Sequence, residues 1–424
     1  MTKSTNISKG RFQLISGVFT YLSANIIVGL IPFALLPFLT RVLDPDAYGK
    51  IAMFQFSIAG LGAFTGLSVH GAVSVNYFKG KKDTFPQFVG NCFFILIISS
   101  VATGMLVFGF LGYFMGITCL GKHWLFLAVA VSTAQFVITI RLVIWQIRGD
   151  SFRYGVFQIL LSLLNASISV FLVLIIKWGE VGRIWGISAS VFFFSLVSFY
   201  TLWRSGWIQL KWNRKFMKEA LLWGIPLIPH VVGGLFMILA DRFIITWQLG
   251  LEHTGIYYVA VQFASPILMF GTSFNGAFRP WLYDKLANGE NGTAVLVSYI
   301  SMLVFLLVGL SYGITVSLIF PFLVGEKYLN GSKIVLILIF SNTFQILYYT
   351  VSNYVLFEGK TKILSMITIA VGITYALGGW FVVISFGLIG LPCLLALMSL
   401  IYFVLTWLVS IKVRPNPWFQ RKQL

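Results

Sequence analysis

Residues 363–411, ILSMITIAVGITYALGGWFVVISFGLIGLPCLLALMSLIYFVLTWLVSI, carry no Asp, Glu, Lys or Arg. A helix crosses the hydrocarbon core of a bilayer in ~20 mostly apolar residues. This stretch is long enough to cross twice, folding back near Gly387–Gly390. Charge-free runs of similar character occupy 12–40, 51–78, 88–121, 154–176 and 291–325. With 58% hydrophobic and 10% charged residues among 424, and a mean hydropathy of +0.91, no water-soluble domain has room to form. Lipid offers nothing to an unpaired peptide group, and the runs show no period-two alternation, so the spans are helices rather than barrel strands.

Twelve spans are expected, at 12–39, 51–78, 88–115, 124–147, 154–176, 184–203, 221–247, 255–281, 294–324, 334–357, 363–385 and 388–411. The first is too long for a signal-peptide core and is kept as a helix. Trp124, Trp178, Trp203, Trp223 and Trp247 fall at or near span ends, where amphipathic rings sit among headgroups. Connections on the N-terminal side, among them Lys211, Arg214, Lys215 and Lys218, hold three times the Lys and Arg of the opposite side. The positive-inside rule then puts both termini in the cytoplasm. It also accounts for most of the formal +18 charge. A nucleic-acid partner is excluded, because no extramembrane domain is present to bind one. Cys92, Cys119 and Cys393 form neither a disulfide framework nor a metal spacing, and no cofactor is expected.

The chain reads as a duplicated unit. Leu43-x2-Asp46-x2-Gly49, after the first span, returns as Leu249-x2-Glu252-x2-Gly255 after the seventh. Gln55-Phe56 returns as Gln262-Phe263, Gly71-Ala72 as Gly276-Ala277, Tyr77-x-Lys79 as Tyr283-x-Lys285, and Gly149 as Gly359. Six spans per copy is an even number, so both halves insert in the same sense and are related by an axis along the membrane normal. The expected division is an N-terminal six-helix lobe at 1–211, a C-terminal lobe at 212–411 and a basic cytoplasmic tail at 412–424. Pro32 and Pro37 in the first span, and Pro226 and Pro229 before Gly233-Gly234 in the seventh, point to interrupted helices at matching places. Gly60, Gly62, Gly66 and Gly71 in the second span point to close helix packing.

The segment Pro37-Phe-Leu-Thr-Arg-Val-Leu-Asp-Pro-Asp-Ala-Tyr-Gly49 resembles the first-to-second helix connection of the polysaccharide transporter family. Asp241-Arg-Phe-Ile-Ile, Leu249-Gly and Gly255-Ile-Tyr257 resemble its second-half counterpart, and Phe357-Glu-Gly-Lys-Thr-Lys362 its tenth-to-eleventh connection. That family is related to multidrug (MATE) antiporters and to the lipid II flippase, and it includes O-antigen flippases. The resemblance implies a MATE-like, all-α fold of two six-helix lobes in the bacterial inner membrane. It implies that undecaprenyl-pyrophosphate-linked repeat units pass from the cytoplasmic to the periplasmic leaflet by alternating access. Membrane lipids and the polysaccharide polymerase machinery are the other implied partners.

A pyrophosphate needs cations, and charges inside a membrane usually face a cavity or mark function. Arg141 falls ~9 Å inside the cytoplasmic end of its span, where it reaches either a cavity or the headgroups. Arg279, near the cytoplasmic end of the eighth span, either captures an anionic head or is an ordinary inside charge. His70 and His230, one per lobe and ~12–14 Å from that face, could bind phosphate, carry a coupling proton or be structural. Asp241, Arg242 and Arg41 sit near the opposite face as a gate, an ion-coupling set or interfacial anchors. Asn25, Gln55, Gln135, Asn165, Gln262, Asn275 and Gln345 either line a sugar path or join helices.

Gly359-Lys360-Thr361 has the end of a P-loop, but position 354 is Tyr where glycine is required, so no ATPase site is expected. A membrane polymerase or glycosyltransferase should carry a long outward loop or a carboxylate-bearing one. Here the outward loops are short and Asp44, Asp46, Glu180, Glu252 and Glu326 are scattered. The protein is therefore not read as an enzyme. A drug or organic-cation antiporter of the same superfamily would want acidic residues within its spans, and Asp241 alone qualifies.

Overall fold

A computed structural model describes residues 23–79, 82–414 and 418. Among them there is no β-strand. The helices are α1 (Ser23–Val42), α2 (Pro45–Gly62), α3 (His70–Lys79), α4 (Phe85–Gly109), α5 (Leu111–Thr118), α6 (Lys122–Ile147), α7 (Ser151–Val170) and α8 (Gly179–Arg204). They continue as α9 (Arg214–Gly224), α10 (Ile228–Leu249), α11 (Leu251–Ala287), α12 (Asn291–Leu323), α13 (Ser332–Phe357), α14 (Thr361–Phe386) and α15 (Gly390–Val413). Among the described residues, nine helical stretches are long and apolar enough to cross a membrane, or ten if α2 and α3, bent by 61°, form one span. One of them, Lys362–Val413, contains the turn Gly387–Ile389 between α14 and α15.

The repeated motifs have matching local geometry. Asp44 is extended, Pro45 opens α2 and Asp46 sits in its first turn, where a carboxylate meets the positive helix end. In the second copy Gly250 turns at φ 87° and Glu252 occupies the first turn of α11. Gly149 and Gly359, each just past a long helix, have φ of 71° and 68°. Both end their helices in the left-handed conformation that glycine adopts without strain.

The prolines do not interrupt α1, which runs unbroken through Pro32 and Pro37. Residues 12–22 of that expected span lie outside the described residues. The seventh span does break, in a 3-10 turn at Ile225–Leu227 around Pro226. Before the break lies a separate helix, α9, carrying Arg214, Lys215 and Lys218 on an exposed face.

The sharpest interruption is in the second span, where glycine spacing had suggested packing. Between α2 and α3 the chain passes through a 3-10 turn, Thr65–Ser68, with Gly66 at φ 75°, Leu67 at 47° and Ser68 at 55°. A Cβ on Gly60 would have nothing within 4 Å and one on Gly62 would only touch Ser132 Cβ at 3.9 Å, so close packing requires neither glycine. Gly71 does serve packing, lying against the Trp223 ring. A Cβ on Gly66 would run into the Phe136 ring. The unwound backbone is satisfied locally: Gly66 N–H donates to the Ser99 hydroxyl at 2.8 Å, and Val69 N–H to the Gly66 carbonyl at 3.0 Å.

Contacts divide the chain into two compact units, 1–35 with 42–247 and 36–41 with 248–424. In the first, α6 packs against α2, α3 and α8 over a core that includes Phe88, Cys92, Phe136 and Ile140. In the second, α13 packs against α11, α12 and α15. There Arg414 donates to Glu358 at 2.6 Å, and the Tyr299 hydroxyl donates to the Trp418 carbonyl at 2.6 Å. These two contacts hold described parts of the 412–424 segment to the helix ends.

Gly66→Ala is expected to cost about 2–4 kcal/mol, combining left-handed strain with the Phe136 collision. Thermal unfolding in detergent should show it, and Gly66→Ala/Phe136→Leu should recover part of the loss. An unshifted midpoint would mean that the break is not built as described.

Candidate functional site

Arg141 lies on α6 six residues before Ile147, ~9 Å inside the helix end at 1.5 Å per residue. It is 5% exposed, and its Nε and Nη1 have no hydrogen-bond partner among the described residues. The guanidinium carbon sits 4.1 Å from the Trp145 ring centroid, one helical turn on. Trp145 is fixed in turn by an edge contact with Phe157 of α7, and Phe157 by one with Phe194 of α8. The indole face attracts the cation and desolvates it, leaving N–H donors unused. Arg148 and Arg153 add positive charge at the same end of the helix pair. Asp150, the nearby acid, is engaged by Arg153, with N···O at 3.4 Å. Unused guanidinium donors beside an aromatic face have the chemistry to pair with an anion.

Arg183 gives the contrast. It is equally buried, on α8, but Nη1 donates to Asn165 Oδ1 at 2.5 Å and to Ser169 Oγ at 2.6 Å. Its charge is committed to joining α7 and α8. Asn165, one of the candidate sugar-path residues, is therefore a helix-joining group. Asn275 is another, accepting at 2.8 Å from buried Asn353.

The remaining candidates are dispersed. His70 opens α3 directly after the break, half-buried, with its ring edge-on to Phe136 at 5.8 Å. His230 is on α10, with its side chain outside the described residues. Asp241 and Arg242 are also on α10, and buried Asp241 accepts the Arg242 backbone N–H at 2.8 Å. Arg41, at the end of α1, donates to the Phe322 carbonyl at 3.0 Å on α12. That contact is an anchor: neighbouring Thr40 accepts from Gly325 N–H at 3.3 Å. Arg279 is exposed on α11. Arg41 and Arg279 belong to the second unit, the other five to the first.

Two features escaped the sequence reading. Trp145 could have been placed from its spacing of four from Arg141, which puts both on one helix face. Lys50, which lies between the first two expected spans, pairs with Asp46 at 3.1 Å and with Glu180 at 3.3 Å, tying α2 to α8. Nothing in the sequence links Lys50 to Glu180. Among the described residues no three His, Cys, Asp or Glu side chains gather as a metal site.

Long apolar helices in two contact units, with a break in the second span, define a multi-pass membrane protein of the fold shared by MATE transporters and lipid flippases. The lipid II flippase MurJ in its inward closed conformation superposes with a TM-score of 0.68 at 15% identity, over 95% of this chain and 87% of that one. An inward-facing multidrug resistance MATE family transporter of the MOP superfamily gives 0.65 at 14% identity, over 93% and 94%. In Haemophilus influenzae, an uncharacterized membrane protein is 25% identical over 379 residues, 87% of this chain and 90% of the relative. The sequence pattern of one family, polysaccharide biosynthesis protein, matches residues 14–284, and the chain belongs to that family.

The two buried arginines should respond oppositely to Arg→Met. Arg183→Met is expected to cost about 3 kcal/mol by orphaning Asn165 and Ser169, whereas Arg141→Met should be neutral or stabilising by about 1–2 kcal/mol. Thermal midpoints of the purified variants decide it. A large loss for Arg141→Met would assign that guanidinium a structural partner.

Proposed function

We propose that the protein is a flippase for undecaprenyl-pyrophosphate-linked O-antigen or related polysaccharide repeat units, carrying them from the cytoplasmic to the periplasmic leaflet. The observation that carries this reading is the unpartnered, indole-backed Arg141 guanidinium near the end of α6. A pyrophosphate supplies the acceptors that this group lacks, and a desolvated pocket makes the pairing strong. Membership of the polysaccharide biosynthesis family supports a saccharide-linked cargo. The Lys and Arg distribution supports an inner-membrane protein with both termini in the cytoplasm.

Transport follows alternating access of two lobes derived from the repeat, divided at 211/212, with 412–424 as a basic tail. The polar head is sheltered while the polyprenyl tail stays in lipid, and no bond is made or broken. His70 and His230 are the coupling-proton candidates, Arg279 is a second cytoplasmic cation for the head, and Asp241 with Arg242 is the gate pair on α10. The product faces the periplasm, where polymerase machinery would take it. A drug or organic-cation antiporter is the second reading, favoured by the buried carboxylate of Asp241.

Deleting the gene in its native host should abolish surface polysaccharide and trap single lipid-linked repeat units on the cytoplasmic leaflet. The intact gene should restore both, and Arg141→Gln should restore them about tenfold less well at equal protein level. Single units that reach the periplasmic face but stay unpolymerised would indicate a polymerase. Unchanged polysaccharide with altered drug sensitivity would indicate the antiporter.

A further inference from the structure

The break between α2 and α3 has a second consequence inside the first unit. Here α2 packs mainly against α6 and α8, while α4 packs against the 3-10 turn and α6. A cavity of about 600 Å³ opens among α2, α4, α5 and α9, lined by residues such as Gly60, Phe64, Ile98, Thr103, Met217 and Leu221. That is within the ~300–1,000 Å³ range of ligand pockets, and far larger than the voids a close-packed interior leaves empty.

Its walls are chemically closed to water. Four hydroxyls line it, and each donates to a carbonyl of its own helix: Ser57 to Met53 at 2.8 Å, Ser99 to Leu96 at 3.1 Å, Thr103 to Ser99 at 2.8 Å and Thr118 to Phe114 at 2.7 Å. An apolar cavity without free polar partners stays dry and takes an apolar guest. It also has a mouth, because Phe64, Ile98 and Leu106 line it and remain 44%, 54% and 47% exposed.

At one end lies α9, a helix of the interfacial kind, with apolar residues inward and cations outward. It is seated firmly: Phe216 meets Phe88 edge-on at 6.0 Å, and Asn91 accepts the Asn213 N–H at 2.9 Å. Gly224 rests against the Leu67 carbonyl of the break itself. Met217 and Leu221 face the cavity, and exposed Arg214 and Lys218 each precede one of them by three residues, a helical neighbour spacing. The one acid of this helix, Glu219, accepts from Asn76 at 3.4 Å and is outnumbered by Arg214, Lys215 and Lys218. Along α4 the lining runs from Ile95 to Leu106, about 16 Å of helix rise, close to half of the ~30 Å hydrocarbon core.

We infer that this cavity is a binding site for one acyl chain of an anionic glycerophospholipid, whose phosphate lies on Arg214 and Lys218. The leaflet-length cavity fits one fatty-acyl chain; an undecaprenyl chain is far longer. The charge beside the mouth selects an anionic head. A lipid seated here props α2 away from α4 beside the break. The site is independent of whichever cargo the protein carries.

The test uses the full-length protein in nanodiscs of equimolar phosphatidylglycerol and phosphatidylcholine, released for native mass spectrometry. One retained phosphatidylglycerol is expected, favoured about tenfold over phosphatidylcholine, and Arg214→Gln/Lys218→Gln should erase that preference. Gly60→Phe, which projects into space with nothing within 4 Å, should abolish retention. Gly104→Phe, on α4 but outside the lining, should keep it. Equal retention by both Phe variants overturns the site. So does replacement of the phospholipid by polyprenyl phosphate when both are supplied. A wild-type measurement covers the case of a misfolded Gly60→Phe. Phosphatidylglycerol with an acyl-chain diazirine should label Phe64, Ile98 and Leu106 severalfold above Val304 and Phe322, which are exposed on α12. Uniform labelling overturns the proposal.

Discussion

A peptide group inside lipid has nowhere to find a hydrogen bond except within the protein. Long helices meet that demand automatically, and most of this chain is built from them. The second span does not, so its departure from helix has to be provisioned by neighbours. Ser99 supplies an acceptor to Gly66, Phe136 fills the space where a side chain would stand, and α9 lays Gly224 and Trp223 against the turn. Three elements far apart in the chain are thus committed to one unwound turn. The position of His70, the docking of α9 and the dry cavity beside α4 all follow from it.

The two motif copies read in the sequence differ at this point. By the spacing that relates Gly71 to Gly276, Gly66 corresponds to Gly271. Gly66 stands in a left-handed turn, whereas Gly271 lies inside α11, which runs unbroken from Leu251 to Ala287 through Pro266 and Pro280. There the missing side chain admits Ile346 of α13. The same residue type serves conformation at Gly66 and close approach at Gly271.

Electrostatics divides the buried arginines in a similar way. Taking a guanidinium out of water is costly, and the cost is offset only where acceptors replace the lost hydration. Arg183 has them in Asn165 and Ser169. Arg141 has an aromatic face, and its Nε and Nη1 find no acceptor among the described residues. The first guanidinium is held by polar partners, the second by an aromatic ring.

Hydrophobic run length made the membrane class and the helical build legible from the residues alone. Run length reports a one-dimensional property, transfer into lipid. Arg141, His70 and Asp241 could be named for the same reason, since a polar residue in an apolar run stands out. Their circumstances could not. Whether an arginine finds an acceptor, whether four glycines mean packing or a break, and whether Lys50 meets Glu180 depend on which helices lie side by side. Sequence spacing sets faces on one helix, but partners come from other helices, and only the tertiary structure brings Ser99 and Phe136 to Gly66 and leaves Arg141 with unused donors.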